Sequence, residues 1–440
     1  MKKTAAICLL LFSAAVYSFG TEITIDDYIR LVEKNSKQLL QAARDIEIAD
    51  ATEKTVRSQA YPMIGAELGY TRNLNDIKQP MPVAADTSSG MLIYQDIDIN
   101  TDNEFSFGLS LSQQIFNMKV FNAIKASREF KLMSGYIYDI QNQTVITLAK
   151  KVYYQNFLLE KLLDVKKEVE ENSRENYLNV KKKFENGLVS QFELLRTEVD
   201  WKMKIPETTQ ARKNLDLAKI NLKNLAGIPL DDEVILKSDI NDYPPMPQPV
   251  PLPDILKERP DYKSLVRELS LREINIKAAM SDHYPTVAGN ILYGVSTGSD
   301  DFSLDSDKTT VAQFGIKVSL PVYSGGALSA QDKKAKSEFE QTEIKVKQLK
   351  ENILSDINSI YLTLKETNER IESAAATMET AMQAYEIAQT SYNSGMATQL
   401  DLKDASLSLE LAKISHISAV YEYLAATFDW DLAIGKAVMD

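Results

Sequence analysis

Phe184-Glu-Asn-Gly187-Leu-Val-Ser190-Gln-Phe192-Glu193-Leu194 and Tyr392-Asn-Ser-Gly395-Met-Ala-Thr398-Gln-Leu-Asp401-Leu402 decide the fold, because they are one pattern written twice. Each has an aromatic residue, a glycine three places on, a hydroxyl residue three further, and an acid and a leucine after that. Glycine favours the left-handed backbone that ends a helix, and Ser or Thr favours the start of the next. Each stretch therefore reads as the tip of a helical hairpin. The two lie 208 residues apart, and Tyr177 and Gly227 recur at the same offset as Tyr385 and Gly435.

Working outward, the repetition continues. Phe107-Gly108 returns as Phe314-Gly315, 207 residues on, and Tyr61-Pro62 and Tyr70 return as Tyr284-Pro285 and Tyr293, 223 residues on. The order is kept, and the length change falls in one loop that is longer in the first copy. The chain is a tandem duplication. Its expected organisation is a leader over 1–20, a first repeat over 21–240, a proline-rich linker over 241–253, a second repeat over 254–436 and a tail over 437–440.

Each repeat has the same grammar. A helical stretch, Ile25 to about Ala60 or Pro253 to about Asp282, stops at Tyr-Pro, since proline disfavours helix in the residue before it. A strand follows, with Ile64, Ala66, Leu68 and Tyr70 alternating with Gly65, Glu67 and Gly69. After a polar loop comes a second strand, with Phe105, Phe107, Leu109 and Leu111 alternating with small or polar residues, and likewise Phe314, Ile316, Val318 and Leu320 in the second copy. Such alternation fits first a half-buried strand of a soluble sandwich, the commoner case, and also a barrel strand with lipid on one side and water on the other. The segments that follow favour the barrel. Ala327 to Ser394 spans 68 residues without glycine or proline, and Asn117 to Asn186 spans 70 broken only by Gly135. Each could reach roughly 100 Å as one helix. Ile344, Leu349, Ile353, Ile357 and Leu364 recur at heptad-like spacing with Lys and Glu between them. Helices return over Ser190 to about Ala226, where Pro206 is expected to kink the helix, and over Gln399 to about Ile434. Helices this long cannot bury their stripes within one compact domain, and four strands per chain cannot close a barrel. Both facts call for an oligomer.

Composition narrows the function. Lys2 and Lys3, the apolar run Ala5 to Val16 and Ser18-Phe19-Gly20 read as a secretory signal peptide, with a mature start expected at Thr21. Cys8, the single cysteine, would leave with it. The formal charge of -12 becomes -12 - 2 = -14 without Lys2 and Lys3. That acidic balance argues against nucleic acid as a partner. No later run of about 18 apolar residues reads as a transmembrane helix, so a membrane crossing would need strands closed into a barrel. His283 and His416 have no metal-ligand spacing, and no nucleophile elbow, phosphate loop or zinc pattern is present. The expectation is no enzyme and no cofactor. Trp430, Tyr421 and Tyr423 read as packing for the returning helix.

The two hairpin tips, the Tyr-Pro strand entries and Arg259-Pro260-Asp261 together resemble the TolC-type outer-membrane efflux and secretion channel family, over about residues 22–436. The resemblance implies an α+β membrane protein: a homotrimer forming one 12-stranded outer-membrane β-barrel, continued by a long periplasmic α-helical coiled-coil barrel. It implies a location in the outer membrane of a Gram-negative bacterium, embedded in outer-membrane lipid and extending into the periplasm. It also implies passive conduction from an inner-membrane pump of RND or ABC type and its periplasmic adaptor, gated at the hairpin tips. The loops Thr71 to Glu104 and Ser296 to Thr310 would face outside, the second carrying Asp300, Asp301, Asp305 and Asp307.

Asp401 and Asp404, three residues apart on one helix face, match the family's acidic ring at the periplasmic entrance. In a trimer they would draw cations to a constriction, and crowding would raise their pKa values. The plainer reading of Asp401 is a helix N-terminal acid favoured by the dipole. Tyr392 and Glu193 match positions whose bonds hold adjacent hairpins closed, with Gly187 and Gly395 making the turns. Ala397 stands where better-known members have an arginine latch, and Phe192 replaces a small polar residue, so closure is expected to rest more on packing. The rival readings are a non-conducting envelope-spanning coiled-coil spacer or adhesin, and a periplasmic adaptor. Neither explains two strand pairs and two hairpins in matching places.

Overall fold

Short structure at the ends of each repeat and very long helices between them set the architecture. The structure, a computed structural model, describes residues 21–85, 90, 92–237, 243–304 and 306–436. The expected leader, the tail and Asp305 lie outside them.

In chain order the elements are β1 (Thr21–Ile23), α1 (Ile25–Asn35), α2 (Lys37–Ser58), β2 (Met63–Arg72), β3 (Lys78–Ala85), β4 (Leu92–Asp98), β5 (Asn103–Phe116), α3 (Met118–Glu185) and α4 (Gln191–Ala226). The second half continues with β6 (Val234–Leu236), α5 (Leu252–Glu258), α6 (Pro260–Met280), β7 (Thr286–Ser299), β8 (Lys308–Ser319), α7 (Ala327–Asn393) and α8 (Gln399–Ala433). The long helices α3 and α7 contain 68 and 67 residues, as the two long runs predict, and Gly135 does not interrupt α3. The opening helices divide where one was expected. Ser36 turns the chain between α1 and α2, and Pro260 supplies the fixed φ and missing N–H suited to the first turn of α6. The linker helix α5 starts at Leu252, with Pro251 as its N-cap, two residues before the second repeat was expected to begin.

The chain forms two compact units that cut across the repeats. Among the described residues the first comprises those within 21–45, 135–263 and 347–436, and the second those within 46–134 and 264–346. In the first unit a core gathers Tyr28 and Val32 from α1, Tyr153 and Phe157 from α3, Leu222 and Ala226 from α4, and Ile353 and Leu364 from α7. Tyr423, Leu424 and Trp430 from α8 complete it. Three of the heptad positions, Ile353, Ile357 and Leu364, are buried here, whereas Ile344 is exposed in the other unit. The three tyrosines of this core are hydrogen-bonded, as burial of a hydroxyl favours. Tyr28 Oη donates to Leu222 O at 3.0 Å, and Tyr153 Oη to Ile23 O at 2.9 Å. Tyr153 thereby fixes the short parallel pair β1–β6, which no local pattern foretells. Tyr423 Oη donates to Pro244 O at 2.9 Å and holds the linker.

The second unit carries a four-stranded antiparallel sheet in the order β2-β5-β7-β8. Its register preserves the duplication. Leu68↔Phe107 and Tyr70↔Phe105 of the first hairpin become Ile291↔Phe314 and Tyr293↔Ala312 of the second, when the same 223 and 207 residues are added. The register aligns Ile64, Leu68, Leu109, Leu111, Ile291, Phe314, Ile316 and Val318 on one face. The other face carries mostly small or polar residues, among them Gly65, Gly69, Ser106, Gly108, Ser110, Gly294 and Gly315. In a soluble sandwich the apolar face would be covered. Here it is bare: Leu68 is 84%, Ile64 73% and Phe314 71% exposed.

The long first loop departs from its expected form. It folds into a separate two-stranded hairpin, β3–β4, with a bulge between Pro82 and Ala84. The two prolines, Pro80 and Pro82, remove backbone donors and disguise the strand, yet a hairpin with no third strand leaves them free edges.

Candidate functional site

The hairpin tips are built by local bonding alone. Gly187 and Gly395 adopt φ of 70° and 77°, the left-handed region that a side chain resists. At the first tip, Gly187 N donates to Phe184 O (2.8 Å) and Leu188 N to Lys183 O (2.9 Å), closing the last carbonyls of α3. At the second, Gly395 N donates to Tyr392 O (3.1 Å) and Met396 N to Ser391 O (2.8 Å). The same hydroxyl then starts each returning helix: Ser190 Oγ accepts from Glu193 N, and Thr398 Oγ1 from Asp401 N, both at 3.3 Å. Repetition of sequence is thus repetition of a helix stop followed by a helix start.

The second tip adds a reciprocal bond. Asp401 Oδ2 accepts from Thr398 N at 2.8 Å and from Thr398 Oγ1 at 2.6 Å. These bonds to the Thr398 hydroxyl and N–H hold the Asp401 carboxyl below the usual aspartate range. Within one chain this opposes the rise expected from a crowded ring. Asp404 stands exposed one turn on, and no hydrogen bond or ion pair engages its carboxylate among the described residues. The two aspartates therefore differ: Asp401 is occupied in shaping the tip, and the Asp404 carboxylate is exposed to solvent. We expect Thr398→Ala to weaken the start of α8 by about 0.5–2 kcal/mol. Faster hydrogen exchange at the Asp401 and Leu402 amides would register it, and unchanged exchange would refute the capping role.

Tyr392 and Glu193 are brought together, but without a bond. The Tyr392 ring is buried beneath Lys183, whose Nζ lies 4.9 Å from the ring centroid. Its hydroxyl is buried and meets no partner among the described residues. Burial first, then the Glu193 charge, push the phenol above its ordinary pKa. Tyr392 borders a cavity of about 350 Å³ lined also by Asn176, Asn179, Lys183, Gln389 and Asn393. Sequence reading missed this amide cluster. Its trace was the spacing of Asn172, Asn176 and Asn179, which share one helix face. Phe192, 75% exposed, projects from the first tip instead of packing within the chain.

Farther along the hairpins a second arrangement was also missed. Glu410 of α8, 4% exposed, accepts from Lys166 Nζ of α3 at 2.6 Å and from Lys204 Nζ of α4 at 3.1 Å. Glu207 joins Lys166 at 2.7 Å.

The histidines have structural surroundings. His283 Nε2 lies 2.9 Å from Asp332, and His416 is half-buried in α8. Among the described residues no group of three or more His, Cys, Asp or Glu could hold a metal ion, and no helix is long and apolar enough to cross a membrane.

The sequence profile of the outer membrane efflux proteins matches residues 28–228 and 252–436. The chain belongs to that family. Outer membrane protein TolC of Escherichia coli is 24% identical over 99% of this chain and 87% of its own length. The alkaline protease secretion protein AprF of Pseudomonas aeruginosa is 20% identical, covering 95% and 85%. The CmeC outer membrane channel of Campylobacter jejuni shares the fold, with a TM-score of 0.79 and 21% identity over 94% of this chain and 86% of that one. This outer membrane efflux protein is therefore a protein of the outer membrane.

Proposed function

We propose that three copies of this efflux-family chain close a 12-stranded barrel in outer-membrane lipid and continue it as a helical tunnel across the periplasm. The observation that carries the reading is the four-stranded sheet: among the described residues its edges β2 and β8 are unpaired, and its exposed face is apolar. Unpaired edges cannot stand in lipid, so the strands must be completed by other copies. Four strands from each of three chains make the barrel, with the apolar face toward lipid and the small-residue face toward water. The tunnel conducts passively, and its periplasmic end opens at the two hairpin tips when an adaptor and an inner-membrane pump of RND or ABC type dock. Asp404, with Asp401 behind it, forms the acidic entrance. Tyr392 and Glu193 line the seam that closes, with Phe192 contributing packing in place of the missing arginine at Ala397. The pump selects the cargo.

The test is single-channel conductance in a planar bilayer with a trivalent cation on the periplasmic side. Wild type is expected to give a small cation-selective conductance that the cation blocks. Asp404→Ala should lose most of that block with the tip intact, and Asp401→Ala/Asp404→Ala should lose block and selectivity together. Equal behaviour of all three proteins would remove the aspartates from the entrance. A protein that neither inserts nor conducts would instead be an envelope-spanning spacer.

A further inference from the structure

The proposal rests on the barrel reading above and concerns how neighbouring copies meet. Within the sheet, the first hairpin maps onto the second by two constant shifts, 223 for β2 to β7 and 207 for β5 to β8. Those shifts hold in space as well as in sequence. The junction between repeats, β5 against β7, is therefore the internal counterpart of the junction between copies, β8 against β2 of the next chain. All neighbouring strands alternate in direction, so β8 meets β2 of the next copy antiparallel, as β5 meets β7.

The internal register can be carried across. Leu109↔Tyr293 becomes Ile316 (109 + 207) opposite Tyr70 (293 - 223). Ser110↔Leu292 becomes Lys317 opposite Gly69, and Ser112↔Asn290 becomes Ser319 opposite Glu67. Apolar residues then meet apolar residues on the lipid side. On the water side, Glu67 lies two residues from the place opposite Lys317. Diagonal neighbours of this kind are roughly 7–8 Å apart between backbones, within reach of long side chains. Gly69 leaves the position directly opposite Lys317 without a side chain.

The charges fit this register. On the small-residue face, Glu67 and Lys317 are the two charged residues in the body of the sheet; Glu104, at the loop end, accepts from Asn73 Nδ2 at 3.0 Å. They stand on opposite edge strands, both exposed, and neither has an ion-pair partner within the chain among the described residues. We propose that Lys317 of one copy pairs with Glu67 of the next inside the barrel, so that three such links fix the register of the subunit seam and leave the lumen neutral at that level.

Full-length protein assembled in outer membranes provides the test, read as the temperature at which the oligomer dissociates in detergent gels. Glu67→Lys and Lys317→Glu should each lower that temperature, and the double exchange should recover most of the loss. A double exchange no better than the worse single variant would overturn the ion pair. Cysteine pairs read the register independently of the charges. Glu67→Cys with Ser319→Cys should link copies on oxidation, whereas Glu67→Cys with Lys317→Cys, or with Pro321→Cys, reports a slip of two residues either way. Stronger linking by either slipped pair overturns the register while leaving the barrel standing. Wild type that forms no oligomer overturns the barrel reading and this inference with it.

Discussion

Glu410→Ala is expected to cost the helical unit about 3–5 kcal/mol, the range for removing one partner of a buried ion pair. The carboxylate is almost wholly enclosed, and it is the shared acceptor of Lys166 and Lys204, which come from two other helices. Alanine would leave both ammonium groups facing a cavity, with only Glu207 nearby, 2.7 Å from Lys166 and 3.6 Å from Lys204. The exposed bridges farther along α8, Lys403–Asp200 and Lys413–Glu168, could not compensate, because exposed pairs contribute little. Loss of helical circular dichroism in guanidinium would give the measurement. Replacing the trio together, Lys166→Met/Lys204→Met/Glu410→Leu, should recover most of the loss, since apolar residues of similar volume often match a buried charge cluster. Stability of Glu410→Ala equal to wild type would show that the cluster is solvated. The pH dependence has a definite sign. Burial alone would raise Glu410, but its bonds to Lys166 and Lys204 prevail and hold it below the usual glutamate range. Its contribution is therefore full above the ordinary glutamate pKa and is lost as pH falls through the lowered value. Lys166, depressed by burial but raised further by its two glutamates, adds a contribution lost only above the ordinary lysine range.

This cluster also shows where sequence reading ends. Glu410 sits in Ser-Leu-Ser-Leu-Glu-Leu, and a charge among leucines on a long helix reads as one more solvated position. Only the arrival of Lys166 and Lys204 from elements far away in sequence makes it a core residue. The hairpin tips were legible for the opposite reason. Gly187, Ser190, Gly395 and Thr398 act on bonds within a few residues, so their chemistry is complete in the local string. The alternating strands β2, β5 and β8 were legible from period-two patterning, and duplication supplied the check that one copy could not. The β3–β4 hairpin was illegible because prolines interrupt β3, and the β1–β6 pair because three-residue strands some two hundred residues apart have no local signature. At the second hairpin tip, the spacing of Asp401 and Asp404 was visible, but not that Thr398 would engage one of them and leave the other free.

Phe314→Lys and Gln313→Lys, adjacent on β8, should differ sharply, and the sign of that difference separates lipid from water. The two side chains point to opposite faces, Phe314 beside Ile291 on the apolar face and Gln313 beside Leu292 on the other. In isolation Phe314 is 71% exposed, so if that face met water a lysine there would be neutral or slightly favourable. In a barrel it meets hydrocarbon, where a mid-strand lysine costs about 2–4 kcal/mol, falling toward about 0–1 near the interfaces. Gln313→Lys would face the watery lumen and change stability little. Equilibrium folding of the two variants into lipid vesicles would measure the contrast. Equal stabilities would mean that the apolar face is covered by protein or water, and the barrel would lose its main support. A graded cost along Ala312, Phe314, Ile316 and Val318, greatest mid-strand and fading toward the ends, would go further and mark how deep each residue lies in the membrane. No soluble packing of the same sheet reproduces that gradient, because a protein-covered face penalises lysine by local packing and not by distance from a midplane.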